Sequence, residues 1–159
     1  MKKMILIVSL ALFFTACGNS GNTDSNNSTE PATTKDSAES GNSSYDPNLG
    51  EGKFHDVQLS DKLDTTMANK GEKIAQVKCI ACHKMTDEKL IGPGWAGVTS
   101  RFKPEWIMNF LTNTDVMANK DPKIQAFINS GMIRMPNPNL SDDEARDILE
   151  FMRKNDGLK

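Results

Sequence analysis

Residues 78–85 of this protein read K-C-I-A-C-H-K-M. Two cysteines lie three positions apart, and a histidine follows the second one directly. Three kinds of site use this spacing: a redox-active dithiol, half of a zinc site, and an attachment point for c-type haem. A thioredoxin-like dithiol needs a βαβ unit, but no segment of the chain alternates as a strand does. A zinc ribbon needs a second pair of ligands, and the only Cys and His outside the motif are Cys17 and His55.

Haem attachment uses all three residues of the motif. Cys79 and Cys82 would form thioethers with the vinyl groups of one haem, which places the next side chain, His83, at the iron. Haem is joined to such motifs outside the cytoplasm, so this prediction requires an exported protein. It also leaves no cysteine unassigned if Cys17 serves the export signal. We therefore expect one covalently bound haem c per chain.

The N-terminus predicts export as a lipoprotein. Two lysines precede an apolar run over residues 4–14, which is too short to span a bilayer as a mature helix. Thr15-Ala16-Cys17-Gly18 then resembles the lipobox of bacterial lipoproteins, in which cleavage precedes a lipidated cysteine. Residues 1–16 are thus predicted to be a signal peptide and Cys17 the lipidated residue, with ordinary secretion as the alternative.

The segment after Cys17 is polar and of low complexity. Residues 18–44 contain just two residues of the apolar set, Ala32 and Ala38, among many Asn, Ser, Thr, Asp and Gly. Such a segment cannot bury enough surface to offset its chain entropy, so it is expected to be disordered. We predict a disordered tether over residues 17–50 and a folded domain over residues 51–159.

The folded part is predicted to be all-α. Apolar residues recur at helical spacing in several segments, and no segment shows the period of a strand. Two prolines are placed as first residues of helices, and the S-D-D-E sequence before the last apolar stripe has capping-box spacing. Helices are expected over about residues 64–77, from Pro104, from Pro122 and after Ser141, whereas residues 86–103 and 132–139 are expected to be irregular.

Residues 64–155 resemble the class I c-type cytochrome family. The segment Gly71-Glu72-Lys73-Ile74 looks like its N-terminal helix, and Phe151 stands where the family places an aromatic residue of the helix crossing. Residues 92–98, G-P-G-W-A-G-V, are similar to its G-P-x-x-x-G segment. The resemblance implies a small cytochrome c fold, with helices around one haem and crossed N- and C-terminal helices. It also implies that the Pro93 carbonyl accepts a hydrogen bond from His83.

The sixth iron ligand is predicted to be a methionine. Met135 precedes a proline in the irregular segment before the last helix, as the axial methionine of the family does. Met132 and Met117 remain alternatives, and His55 is a weaker one because it lies in polar sequence upstream of the motif. A thioether ligand favours ferrous iron and raises the reduction potential.

These features predict a membrane-tethered monohaem electron carrier rather than an enzyme. Iron with His and Met ligands has no open position for a substrate, and no acid–base pair or nucleophile motif stands out. The alternative is a five-coordinate haem protein that senses or binds a gas.

The expected partners are redox proteins: a respiratory donor such as a quinol-oxidising complex, and a terminal reductase or oxidase. Residues 90–95 and 106–113 resemble lipoprotein cytochromes that accompany nitrous-oxide reductase. The net charge of −2 provides no basic field, so nucleic acid is not an expected partner. The expected location is the periplasm-facing cell envelope of a Gram-negative bacterium, as a lipid-anchored monomer.

Overall fold

The computed structural model describes residues 45–159. Within that range the chain forms six helices and no strand, so the all-α prediction is confirmed. In chain order the helices are α1 (Thr65–Lys78), α2 (Val98–Arg101), α3 (Pro104–Thr112), α4 (Thr114–Lys120), α5 (Pro122–Asn129) and α6 (Asp142–Asn155).

Local sequence signals account for most of the helix starts. α1 begins after Asp64, whose carboxylate caps the first turn by accepting two backbone N–H bonds. α3 and α5 each begin with a proline, as predicted. The predicted capping box of α6 is formed: Ser141 Oγ accepts from the Glu144 N–H at 3.1 Å, and Glu144 Oε2 accepts from the Ser141 N–H at 2.9 Å.

α1 crosses α6 at very short range, and small residues make this approach possible. A Cβ atom on Gly71 would lie 2.0 Å from the carbonyl oxygen of Asp147, so only glycine fits at the crossing point. Ala68 and Ala75 continue the buried face of α1 on either side of Gly71. Ile148 of α6 fills the space beside them and has no exposed surface. The crossing therefore forms one side of the hydrophobic core.

Two short helices were not predicted. α2 lies within residues 86–103, so the prediction of an irregular segment is wrong for its four residues. A helix of one turn contains too few residues to show a helical period in sequence. α4 follows α3 with only Asn113 between them, and it contributes the buried residues Thr114, Met117 and Ala118.

Residues 45–63, here called the N-terminal strap, cross the outside of α3 and α4 before α1 begins. Asn109 of α3 is fully buried beneath the strap and forms three hydrogen bonds with its backbone. Its Nδ2 donates to the carbonyls of Leu49 and Phe54 at 2.9 Å, and its Oδ1 accepts from the Phe54 N–H at 2.9 Å. Tyr45 bonds to Asp121, so the first residues of the strap, predicted to belong to the tether, contact the domain.

The predicted signal peptide, the lipidated Cys17 and the tether as far as residue 44 lie outside the described residues. Among residues 45–159, no helix combines the length and the apolar character that a membrane crossing requires.

Candidate functional site

An open, largely apolar cavity lies between the Cys-x-x-Cys-His motif and the irregular segment that precedes α6. Its empty space, including the open mouth, is about 1120 Å³. Cys82, His83, Pro93 and Met135 all line it, so four of the predicted site residues come together there. The remaining wall comes mainly from α3, α5 and α6, with side chains that include Trp106, Ile107, Phe110, Leu111, Ile124, Phe127, Ile128 and Met152.

His83 is held by the loop that carries Pro93. Its Nδ1 lies 2.8 Å from the Pro93 carbonyl oxygen, which is the contact that the family resemblance implies. Because a carbonyl can only accept, Nδ1 carries the hydrogen, and the lone pair of the imidazole is on Nε2. The loop is itself tied to the motif by two backbone bonds, from Gly92 N to the Cys82 carbonyl at 2.8 Å and from Trp95 N to the Lys84 carbonyl at 2.9 Å.

Gly92 lets this loop lie flat against the imidazole. A Cβ at this position would be 2.5 Å from His83 Cε1 and 2.8 Å from its Nδ1. The Trp95 indole packs against the imidazole of His83, with the two ring centroids 5.6 Å apart and the ring planes tilted. The ring of His83 is thus confined both by the hydrogen bond and by its neighbours.

The two cysteines of the motif, Cys79 and Cys82, are free thiols at the end of α1. Cys79 caps the helix and is 4% exposed, and this burial raises the pKa of its thiol to about 11. The backbone then turns sharply, since the N–H groups of Cys82 and His83 both donate to the Cys79 carbonyl at 3.0 Å. Cys82 reaches the cavity, whereas Cys79 belongs to the adjoining core cluster.

The structure divides the candidate sixth ligands into two groups. Met135 and Met132 line the cavity, whereas Met117 is fully buried under the N-terminal strap and does not line it. The sulfur of Met117 accepts the backbone N–H of Glu51 at 2.9 Å. His55 is exposed on the strap.

The segment that carries Met135 is anchored to α4 on both sides of it. Arg134 donates to Asn119 Oδ1 at 2.7 Å and to the Asp115 carbonyl at 3.0 Å. Asn137 donates to Asp115 Oδ2 at 3.2 Å. Met135 is therefore held at the cavity wall by contacts that its own neighbours make.

The wall includes aromatic residues whose place at the cavity was not predicted from sequence. Trp106 stacks on Phe102 with ring centroids 4.1 Å apart and on Phe110 at 5.2 Å. Trp106 and Phe110 lie on the apolar stripe of α3, but such a stripe does not reveal whether it faces a core or a cofactor cavity. Met152 of α6 also lines the cavity.

The cytochrome c family model matches residues 68–156, which is more than half of the chain. The chain belongs to the cytochrome c family. Among solved structures, it is similar to a cytochrome c from Rhodothermus marinus, with 33% identity over 66% of this chain and 90% of that one and a TM-score of 0.63. An engineered cytochrome c from the same organism is 32% identical over 70% of this chain and 98% of that one, with a TM-score of 0.65. No curated protein gave a significant match.

As a cytochrome c, the protein has covalently bound haem c as its cofactor and haem-based electron transfer as its general function. The residues of the cavity fit such a group. The Cys82 thiol and an imidazole with Nε2 unprotonated line one side of it, and the Cys79 thiol lies in the adjoining core cluster. Apolar and aromatic side chains form most of the wall. The haem supplies a one-electron change in the oxidation state of its iron, and the chain supplies attachment, orientation and a low dielectric.

Proposed function

We propose that this cytochrome c is a membrane-tethered carrier of single electrons, with haem attached to Cys79 and Cys82 and with His83 and Met135 as iron ligands. Cys17 is the lipidated residue that attaches it to the membrane. The observation that carries the proposal is the shared cavity of His83 and Met135, because an electron carrier needs both axial positions filled by the protein.

The assignment of His83 rests on its hydrogen bond to Pro93. With Nδ1 donating at 2.8 Å, the ring has one available lone pair, on Nε2, and a fixed orientation. The carbonyl also makes the imidazole a better donor to the metal, since it withdraws the Nδ1 proton partly from the ring. A ring held in this way has little freedom to reorganise when the iron changes its charge.

The assignment of Met135 rests on its position at the cavity wall and on the anchoring of its segment. Met117, an alternative in the sequence, is in contact with the strap and does not line the cavity. Met132 lines the cavity but is followed by Ile133, which is 73% exposed, whereas Met135 lies between two residues bonded to α4. The rigid segment is the better support for a ligand that must keep its position in both oxidation states.

The cavity walls also influence the reduction potential. An apolar environment disfavours the additional positive charge of ferric iron, and a thioether ligand acts in the same direction. Both effects raise the potential, which suits a protein that accepts electrons from a quinol-oxidising complex and passes them to a terminal acceptor. We propose nitrous-oxide reductase or a terminal oxidase as this acceptor, at the periplasm-facing side of a Gram-negative envelope.

The first test is an absorption spectrum of the haem-loaded protein in both oxidation states, for the native chain and for Met135→Ala. We expect a low-spin ferric spectrum with the weak far-red band of methionine bound to iron, and loss of that band in Met135→Ala. The matched controls are Met132→Ala and Met117→Ala, which should keep the band.

Three outcomes would overturn parts of the proposal. A band that survives Met135→Ala but disappears in Met132→Ala would move the ligand and keep the carrier. A native high-spin spectrum that shifts on addition of carbon monoxide would replace the carrier with a gas-binding protein. Release of the protein from membranes that is no greater for Cys17→Ser than for the native chain would refute the lipid anchor.

To choose between the two acceptors, oxidation of the reduced protein would be followed with purified nitrous-oxide reductase and with a terminal oxidase.

A further inference from the structure

A buried carboxylate joins the haem cavity to the only tyrosine of the protein. Asp121, at the start of α5, is 0% exposed, and its Oδ2 accepts hydrogen bonds from two aromatic side chains. One donor is the indole Nε1 of Trp106, at 2.7 Å, and the other is the phenol of Tyr45 in the N-terminal strap. Trp106 lines the cavity, so the order from the cavity outward is Trp106, Asp121, Tyr45.

Asp121 is held in place independently of these two donors. Its Oδ1 caps α5 by accepting the backbone N–H groups of Lys123 at 2.7 Å and Ile124 at 3.0 Å. Oδ2 is therefore kept towards Trp106 and Tyr45 by the helix start itself. A base that is positioned in this manner can take the phenolic proton without any rearrangement of the chain.

The phenol of Tyr45 cannot ionise readily before it loses an electron. Burial raises the pKa of Tyr45, and the hydrogen bond to Asp121 and the negative charge of that residue raise it further. Loss of an electron from Tyr45 is therefore coupled to loss of its proton, and Asp121 is the group in contact that can accept it.

The cation of Lys123 opposes a positive charge on Trp106, whereas Tyr45 can become neutral by passing its proton to Asp121. Its Nζ lies 5.7 Å from the centroid of the Trp106 ring and donates to the Pro47 carbonyl at 2.6 Å. A positive charge at that distance disfavours a tryptophan radical cation. Tyr45, in contrast, forms a neutral radical once its proton is on Asp121.

From these contacts we infer that Tyr45, Asp121 and Trp106 form a proton-coupled electron donor, which supplies one electron to the haem cavity when a hydroperoxide oxidises the protein. Starting from ferrous haem, one hydroperoxide takes up two electrons and two solvent protons and is reduced to an alcohol and water. A ferrous haem held by Cys79, Cys82 and His83 would supply one of these electrons. Tyr45 supplies the other by way of Trp106, its O–H bond breaks, and the proton moves to Oδ2 of Asp121. A neutral tyrosyl radical and a protonated Asp121 remain.

The consequence is protection of the haem site, because the second oxidising equivalent leaves the cavity for a residue near the surface. This inference rests on the proposed attachment of haem to Cys79 and Cys82 and not on the lipid anchor. With Met135 bound the iron has no open position, so the hydroperoxide would take its electrons without binding to the iron.

The test is electron paramagnetic resonance of the reduced haem-loaded protein, frozen quickly after one equivalent of hydrogen peroxide. We expect an organic radical signal whose hyperfine structure collapses when the protein contains ring-deuterated tyrosine. Because the chain has one tyrosine, such a collapse assigns the radical to Tyr45. Tyr45→Phe, which keeps the ring, should abolish the tyrosyl signal.

Two further variants test the route. Asp121→Asn retains a good helix cap but accepts no proton, so the rate of radical formation should fall by about a hundredfold. Trp106→Phe should also reduce the tyrosyl yield, whereas Trp95→Phe, which changes the other tryptophan at the cavity wall, should not. Haem absorption and circular dichroism of each variant establish that it is folded.

The inference would be overturned by a radical signal that is unchanged in Tyr45→Phe, or by one that responds to deuterated tryptophan and not to deuterated tyrosine. An unchanged rate in a folded Asp121→Asn would equally overturn the role of the carboxylate. If Asp121→Asn does not fold, the Tyr45→Phe and deuterium experiments still decide the matter.

Discussion

His83 and Pro93 are joined by one short contact, 2.8 Å between Nδ1 and the carbonyl oxygen, and Gly92 is the residue that permits it. The acceptor is a backbone atom, so no side-chain substitution removes it. The orientation of His83, the proposed iron ligand, therefore depends on how closely the loop can approach the imidazole, which is set by the absence of a side chain at position 92.

Gly92→Ala should displace the imidazole or the loop, because the added methyl would lie 2.5 Å from His83 Cε1. We expect the free energy of unfolding of the haem-loaded protein to fall by about 1–3 kcal/mol, the usual cost of overpacking. Denaturant titration measures this loss, and the far-red haem band reports any change at the iron. Lys89→Ala, in an exposed part of the same loop, is the control and should change neither quantity. Equal stability of the two variants would show that the loop adapts without cost.

Gly71→Ala tests the crossing of α1 and α6. In an exposed helical position this substitution would stabilise by about 1 kcal/mol. At the crossing the methyl would meet the Asp147 carbonyl at 2.0 Å, and the opposing backbone cannot move aside easily. We therefore expect a loss of about 3 kcal/mol in the free energy of unfolding.

The matched control for that crossing is Gln76→Gly, at an exposed position of the same helix. It should lower the free energy of unfolding by about 1 kcal/mol, from helix propensity alone. A Gly71→Ala protein that is as stable as the native one in denaturant titration would mean that the helices are further apart than described.

Asn109→Ala should release the N-terminal strap without unfolding the domain. The substitution leaves the Phe54 N–H and two strap carbonyls without partners, at a cost of about 1–3 kcal/mol for each unsatisfied group that stays buried. We expect hydrogen exchange of strap amides to become at least about tenfold faster while exchange in α1 and α6 is unchanged. Asn113→Ala removes a single bond, to the Glu51 carbonyl, and should have a smaller effect. Equal acceleration across the whole domain would argue against a strap that detaches separately.

Tyr45 should make the stability of the protein depend on pH in the alkaline range. The pKa of this phenol is raised in the folded state, chiefly by burial and by Asp121, whereas in the unfolded chain it is about 10. Above that pH the unfolded chain releases the phenolic proton while the folded chain retains it, so the free energy of unfolding falls as the pH rises. The contribution of Tyr45 to the free energy of unfolding is fully present below a pH of about 10.

Comparison with Tyr45→Phe isolates this effect, because lysine titration is common to both proteins. The native chain should be the more stable below pH of about 10, and the difference should shrink as the pH rises above it. Denaturant titrations at a series of pH values give both curves. If the difference in the free energy of unfolding between the two proteins did not change with pH, the pKa of Tyr45 would not be raised in the folded state.

The proposed haem-attachment site could be predicted from sequence because its three groups lie within five consecutive residues. Cys79, Cys82 and His83 share one turn of backbone, so their order alone implies their proximity. The capping box at Ser141 and the prolines that begin α3 and α5 could be predicted for the same reason. Each of these signals acts on backbone only a few residues away in the chain. The all-α class was predicted from the helical spacing of apolar residues, and the cytochrome c fold was implied by the family resemblance.

Tertiary structure decided what depends on distant parts of the chain. Met117, Met132 and Met135 have the same chemistry, and only their positions separate a core residue from those that line the cavity. Tyr45 is 76 residues from Asp121, and polar sequence around it predicted a tether rather than a docked strap. Such contacts depend on the free energy of the whole packed domain, which local sequence preferences do not contain. The sequence by itself therefore determined which chemistry this protein carries, whereas the packing of its helices decided which side chains surround that chemistry.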